Sequence, residues 1–420
     1  MSNFTAETFQ NEYLPADGDE VNAVVTVTAS GGGSTRRGAE IVIVDTSLSM
    51  GVPSTKLAEA VRATTAAITC IRDGVAFGVI SGSSDARVAY PPDGGLAVAS
   101  QATRAAAYLA VRQLRADGGT AMGAWLRRAA ELFGSAPPGT RHAILLTDGQ
   151  NQHETAEQLG EALAAVEGRF QCDCRGVGTD WEVGELRRIA DTLLGSVDIV
   201  ADPRGLVDDF TALMEKAMGR ATGDVSLRLW TPRGATVAFV RQVAPTLAEL
   251  THRSRPPGGL SVDYATGSWG EESRDYHVCI RVGTRDVGEE MLAGRVSLIE
   301  GDQVRGQALI KAIWTDDEQR STQINREVAH YTGQAELAEA IQDGIEARRA
   351  GDGGTATLKL GRAVQLAARS GNDATMKLLA RVVEIDDPVT GTVRLRGRVE
   401  EADEMTLDTR STKTVRVGPG

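Results

Sequence analysis

Residues 40–50 read EIVIVDTSLSM. The first six form a nearly continuous apolar run closing on Asp45, the pattern of a short strand buried on both faces. Working outward, HAILLT at 142–147 is a second such run, followed at once by Asp148 and Gly149. VAFGVIS at 75–81, ARVAY at 86–90 and RFQCDCRGVG at 169–178 read as further strands. Between them the apolar spacing turns helical: 56–69, carried by Leu57, Ala60, Val61, Ala67 and Ile68, then 101–115, 121–133, 155–166, 182–194 and 203–218. Strands that alternate with helices from 40 to 220 predict an α/β domain with a mainly parallel sheet and helices on both faces. Ligands of such sheets collect beyond the carboxyl ends of the strands, which is where Asp45 and Asp148 fall.

The flanks have a different texture. EVNAVVTVTA at 20–29 alternates like a strand, and GGGSTRRG at 31–38 breaks it. VSLRLW, ATVAFVRQV, GLSVDY, YHVCIRV and GRVSLI, between 225 and 299, are short strands separated by Gly and Pro, as in an antiparallel sandwich. The strand at 20–29 has no natural place in a parallel sheet and is expected to join that sandwich. Helical segments follow at 323–350, 354–370 and 372–384, and the remaining residues read as a solvated, flexible tail. The expected division is therefore an N-terminal segment at 1–37, an α/β domain at 38–220, a β-sandwich at 221–318, a helical module at 319–386 and a tail at 387–420.

Composition narrows the function. A net charge of -12 with no local basic patch argues against nucleic acid. The first residues lack the basic and apolar regions of a secretory signal, and no run of about 18 apolar residues predicts a membrane span. Four cysteines in 420 residues fit a reducing cytoplasm better than a disulfide scaffold.

Three strand-end or turn segments carry the chemistry. D-x-S-x-S supplies Asp45, Ser47 and Ser49; Asp-Gly-Gly-Thr at 117–120 is a tight turn presenting Thr120; T-D-G at 147–149 supplies Asp148. The set is all oxygen, which suits a hard divalent cation, Mg²⁺ first, with Mn²⁺ or Ca²⁺ as alternatives. Because hydroxyls are neutral, an ion held this way stays electrophilic. D-x-S-x-S, a distant Thr after Gly-Gly and a strand ending T-D-G together resemble von Willebrand factor A domains with their metal-ion-dependent adhesion site. The resemblance covers about 38–220. It implies that Ser47, Ser49 and Thr120 bind the ion directly, that Asp45 and Asp148 bind directly or through water, and that a partner's Asp or Glu completes the shell. It also implies, in some members, movement of the domain's last helix, here 203–218. Beyond 220 the order of parts, and VAHYTGQAELAEAIQDGIEARRAGD at 328–352 above all, resembles actinobacterial cytoplasmic A-domain proteins with a sandwich and a helical module.

Other signals are weaker. Cys172 and Cys174 share a strand face and read as buried structural thiols. His153-Glu154 lacks the second His of H-E-x-x-H and reads as a cap of the following helix, or as a rim of the metal face. Glu182 and Glu185 read as a helix start at the same sheet edge. Thr409, Ser411, Thr412 and Thr414 lie among basic residues in the tail and offer phosphorylation sites. There is no Walker A motif and no base placed to activate water. The expected function is a non-enzymatic, Mg²⁺-dependent protein-interaction scaffold, with two alternatives: an adaptor or substrate in Ser/Thr kinase signalling, read by a kinase or phosphopeptide-binding partner through the tail, or a regulatory subunit of an AAA+ ATPase.

Overall fold

A computed structural model describes residues 3–31, 38–220 and 222–417. The break expected at 31–38 lies, except for its first and last residues, outside the described residues. Two compact units emerge: one built on 38–220 and 222–223 with 267–270, the other on 3–31, 224–266 and 271–417.

The first unit is the expected α/β fold. Its sheet runs Val197–Val200, Gln171–Val177, Thr140–Thr147, Gly38–Asp45, Ala76–Gly82, Ala86–Tyr90; Ala97–Val98 also pairs with the Ala76 strand. All pairings are parallel except those of Ala86–Tyr90 and Ala97–Val98. Every residue of Gly38–Asp45 is buried, which is why its sequence is apolar without alternation. The chain runs from this central strand to Ala76–Gly82 on one side and only later returns to Thr140–Thr147 on the other. Adjacent strands whose connections leave in opposite directions open a crevice at their carboxyl ends. Asp45 closes one of these two strands and Asp148 follows the other. Helix Thr55–Cys70 turns Ala60, Ala63 and Ala67 to the core, and these small residues let it lie close against Phe210, Met214 and Ala217 of helix Leu206–Gly219.

The amino ends of the same strands hold a buried charge cluster that the sequence did not advertise. His142 bridges Glu40 at 2.7 Å and Asp173 at 2.9 Å, all three buried. Arg220 stands 3.6 Å from Asp173, and Ser196 donates to it through both its N–H and its hydroxyl.

In the second unit, one sheet runs Asn3–Gln10, Glu20–Ser30, Glu272–Arg281, Thr236–Ala244, Ala248–Glu249, all antiparallel. The other runs Ser254–Gly258, Ser261–Trp269, Thr222–Trp230, Glu290–Glu300, Gln303–Thr315, Tyr13–Pro15. They pack face to face: a Cβ on Gly294 would stand 2.6 Å from Ile280 Cδ1 of the opposite sheet. Asn3–Gln10 escapes sequence reading because it is an edge strand with only Phe4 buried. Helices Arg326–Arg349, Gly353–Ser370 and Asp373–Val382 follow, capped by Asn325, Asp352 and Asn372.

The expectation of a flexible tail is corrected. Val383–Asp387 and Thr392–Leu395 form a hairpin, and Glu401–Arg410 is a helix. That helix buries Met405 and Leu407, and its acids meet Arg348 and Arg349. Its many charges hid it, because they are paired across helices instead of solvated. Residues beyond it lie along the first sheet: Leu247 N–H donates to Thr412 O, and Thr414 N–H to Pro245 O. Among the described residues no helix is long and apolar enough to cross a membrane.

Candidate metal centre

The loop after Gly38–Asp45 is fixed by backbone bonds to its neighbours. Thr46 N–H donates to Gly82 O at 2.7 Å, Leu48 N–H to Gly118 O at 3.0 Å, and Asp117 N–H to Thr46 O at 2.7 Å. Ser47 N–H donates to Asp45 Oδ1 at 2.7 Å, curling the chain so that both serine hydroxyls face inward, 2.9 Å apart. Ser49 Oγ donates to Asp148 Oδ1 at 2.7 Å. On the other side of Asp45, Thr147 Oγ1 donates to Oδ2 at 2.5 Å. Asp45, Ser47, Thr120 and Asp148 are buried and Ser49 is half-buried, while Leu48 and Val52 of the same loop are 63% and 75% exposed.

Thr120 arrives from the third loop. Gly118 takes a left-handed conformation, φ 72°, as the tight turn requires. At Gly119 the His153 ring occupies the space a Cβ would need. His153 accepts from Thr120 N–H through Nδ1 at 3.3 Å and donates its own N–H to Thr120 O at 3.0 Å. Gly149 completes the convergence, since a Cβ built there would lie 3.4 Å from Ser49 Oγ and 3.6 Å from Thr120 Oγ1. The three loops thus bring all five sequence-derived residues to one spot.

His153 and Glu154 do not cap the helix that follows them. Thr155 does so, in a reciprocal box with Gln158. Glu154 instead receives Gly123 N–H at 2.6 Å and Ala124 N–H at 3.0 Å. Its carboxylate serves the N-terminus of helix Met122–Gly134, whose own cap residue, Ala121, has no polar side chain. Glu182 accepts from Gln150 Nε2, and Glu185 from Asn151 N–H, so both acids brace the Asp148 loop. Burial raises the Glu185 carboxyl above its ordinary range. Cys172 and Cys174 are buried in their strand. In the tail, Thr409 and Ser411 are buried, Thr412 and Thr414 are half-buried, and Thr414 Oγ1 donates to Val243 O at 2.7 Å.

The sequence reading missed Lys56. Its Nζ stands 2.7 Å from Asp148 Oδ2 and 3.3 Å from Asp180 Oδ2. Burial works against its ammonium, but the bond and charge of Asp148, with Asp180 behind them, hold its pKa above the ordinary lysine value. Burial pushes the Asp45 carboxyl up to about 6; hydrogen bonds from Ser47 and Thr147 oppose this, and the charge of Asp148 adds to it.

The donor set fits a hard divalent cation, because it consists of three hydroxyls and two carboxylates in a buried crevice. Among the described residues no three His, Cys, Asp or Glu side chains come together as a metal cage.

A mainly parallel α/β sheet that gathers hydroxyls and carboxylates from three loops at its carboxyl edge defines the class of A-type adhesion domains. The family model described as von Willebrand factor type A domain matches residues 41–150, and the one described as von Willebrand factor type A C-terminal domain matches 365–411. The chain is similar to a solved structure, von Willebrand factor type A from Catenulispora acidiphila, at 48% identity and TM-score 0.95, with 99% of this chain and 97% of that one covered. It shares its fold with the ArnB paralog VWA2 from Sulfolobus acidocaldarius at 14% identity and TM-score 0.59, with 99% and 100% covered. No curated protein matches the chain. The chain belongs to the von Willebrand factor type A family. Domains of this family generally mediate protein–protein interaction, typically without enzymatic activity, and bind a divalent metal at an adhesion site.

Proposed function

We propose that this chain is a non-enzymatic interaction scaffold whose α/β domain, 38–220, binds a protein partner through a divalent cation. Asp45, Ser47, Ser49, Thr120 and Asp148 hold the ion, Mg²⁺ in the first instance, and a partner's Asp or Glu completes its shell. The observation that carries this reading is the convergence of the three loops: Ser47, Ser49 and Asp148 are linked hydroxyl to hydroxyl to carboxylate within 2.9 Å, and Thr120 and Ser49 flank Gly149. Neutral hydroxyls leave much of the ion's charge uncompensated, and that residual charge recruits an anionic oxygen. Exposed Leu48 and Val52 beside the site supply apolar contact around such an anchor. The sparse, free cysteines support a cytoplasmic setting.

The test is capture of partners from a native lysate in Mg²⁺ and in chelator, with Asp45→Ala beside the wild type and its fold checked by circular dichroism. Partners lost in both chelator and variant support the metal bridge. Partners retained in both place binding on the sheets or helices of the second unit.

A further inference from the structure

Lys56 is the second residue of helix Thr55–Cys70, whose first turn contains no acid. Unpaired N–H groups concentrate positive charge at a helix N-terminus, so a cation is disfavoured there and an acid is the usual choice. The side chain does not escape to water either: Lys56 is only 8% exposed, and burying an ammonium is costly unless it is paired. Both unfavourable placements are offset mainly by the contact with buried Asp148 Oδ2, with the longer contact to exposed Asp180 behind it. Meanwhile Asp148 Oδ1 takes the Ser49 hydroxyl, so one oxygen of this carboxylate faces the hydroxyl set and the other is held by a fixed positive charge.

We infer that Lys56 is a resident counter-cation of the site, neutralising Asp148 when no ion is bound and weakening the hold on a divalent ion when one is. The inference rests on the reading of Asp45, Ser47, Ser49, Thr120 and Asp148 as the ion site. The metal-free crevice then contains the Asp45 and Asp148 carboxylates and one ammonium, with the exposed Asp180 carboxylate 3.3 Å from that ammonium. A divalent cation entering it meets a net charge one unit less negative than the two acids alone would give, together with a like charge on the far side of Asp148. Lys56 thereby makes the site stable when empty and the ion exchangeable. A partner's carboxylate then adds to an affinity that the protein alone leaves modest.

The experiment is Mg²⁺ titration of the full chain by calorimetry, with thermal melts in chelator and in Mg²⁺, on wild type, K56M, K56R and D45A. K56M keeps the stem and removes the charge. It is expected to bind Mg²⁺ about tenfold more tightly, to melt lower than wild type in chelator, and to gain more from added Mg²⁺. K56R keeps the charge and is expected within about threefold of wild type. Should K56M fold only with Mg²⁺ present, release of the ion to excess chelator is followed instead; slower release than from wild type supports the inference and equal or faster release overturns it. Wild type that binds Mg²⁺, D45A that does not, and K56M no tighter than wild type would overturn the role of Lys56 and leave the ion site standing. Wild type and D45A that both fail to bind Mg²⁺ would overturn the site and the inference together.

Discussion

At the amino ends of the parallel strands Asp173 is met by His142, Ser196 and Arg220, whereas at the carboxyl ends Asp45 accepts from the neutral donors Ser47 and Thr147. The pKa values follow this difference. Burial opposes the charge of Asp173, but the hydrogen bond and charge of His142, then Arg220 and Arg175, hold its carboxyl well below the usual range. Asp45, equally buried but with neutral donors, is pushed up to about 6. One end is closed electrostatically and owes its contacts to the fold. The other keeps charge in reserve. Buried charge alone therefore does not mark a functional site: Asp173 is tied to charged partners, whereas Asp45 has neutral donors at the sheet's carboxyl edge.

The largest expected effect lies at the closed end. Asp173→Ala strips His142, Ser196 and Arg220 of their shared acceptor and is expected to cost about 3–5 kcal/mol in urea unfolding, with or without Mg²⁺. A loss under about 1 kcal/mol would show that water replaces the carboxylate there and would dissolve the contrast. Next comes Thr147→Val, which removes the hydroxyl from Asp45 Oδ2; it is expected to cost about 1.5–3 kcal/mol, again by urea unfolding. A variant as stable as wild type would mean that Asp45 does not depend on that donor.

A subtler test uses pH. His142 carries opposing influences: burial depresses its pKa, but Glu40 and Asp173 more than restore it, so the folded value stands above the ordinary 6.5. A raised folded pKa gives stability that is fully present below the unfolded value and lost as pH rises through the folded one. Asp173, with its lowered pKa, works in the reverse sense: its contribution is present above the ordinary 3.8 and lost as pH falls through the folded value. The stability gap between wild type and His142→Gln should therefore be widest between these two ordinary values and narrow as pH rises beyond 6.5. A gap constant from pH 5 to 9 would sink the assignment.

The same contrast explains what was legible in the sequence. Strands buried on both faces announce themselves as apolar runs, and a loop that must present Asp45, Ser47 and Ser49 leaves a fixed spacing. Turn residues did likewise, through Gly118 and Gly119. Residues that act across sequence left no such trace. Glu40 and His142 sit at the heads of apolar strands, and only the parallel register places them together. Lys56 had one readable sign, a cation where a helix start favours an acid. Helix Glu401–Arg410 was read as solvated because its acids wait for Arg348 and Arg349, fifty and more residues earlier.

The run from Ser411 to Val417 has a consequence for how this chain behaves in a crowd. A sheet edge with free N–H and C=O groups is a template for another chain. Here Thr412 O and Thr414 N–H engage Leu247 and Pro245, beside the short edge strand Ala248–Glu249. The segment is a selvedge: it finishes the fabric where the weave would otherwise fray. A chain shortened before Thr412 is expected to present Leu247 N–H and Pro245 O to its neighbours, a route to self-association that leaves the loops of Asp45, Thr120 and Asp148 unchanged.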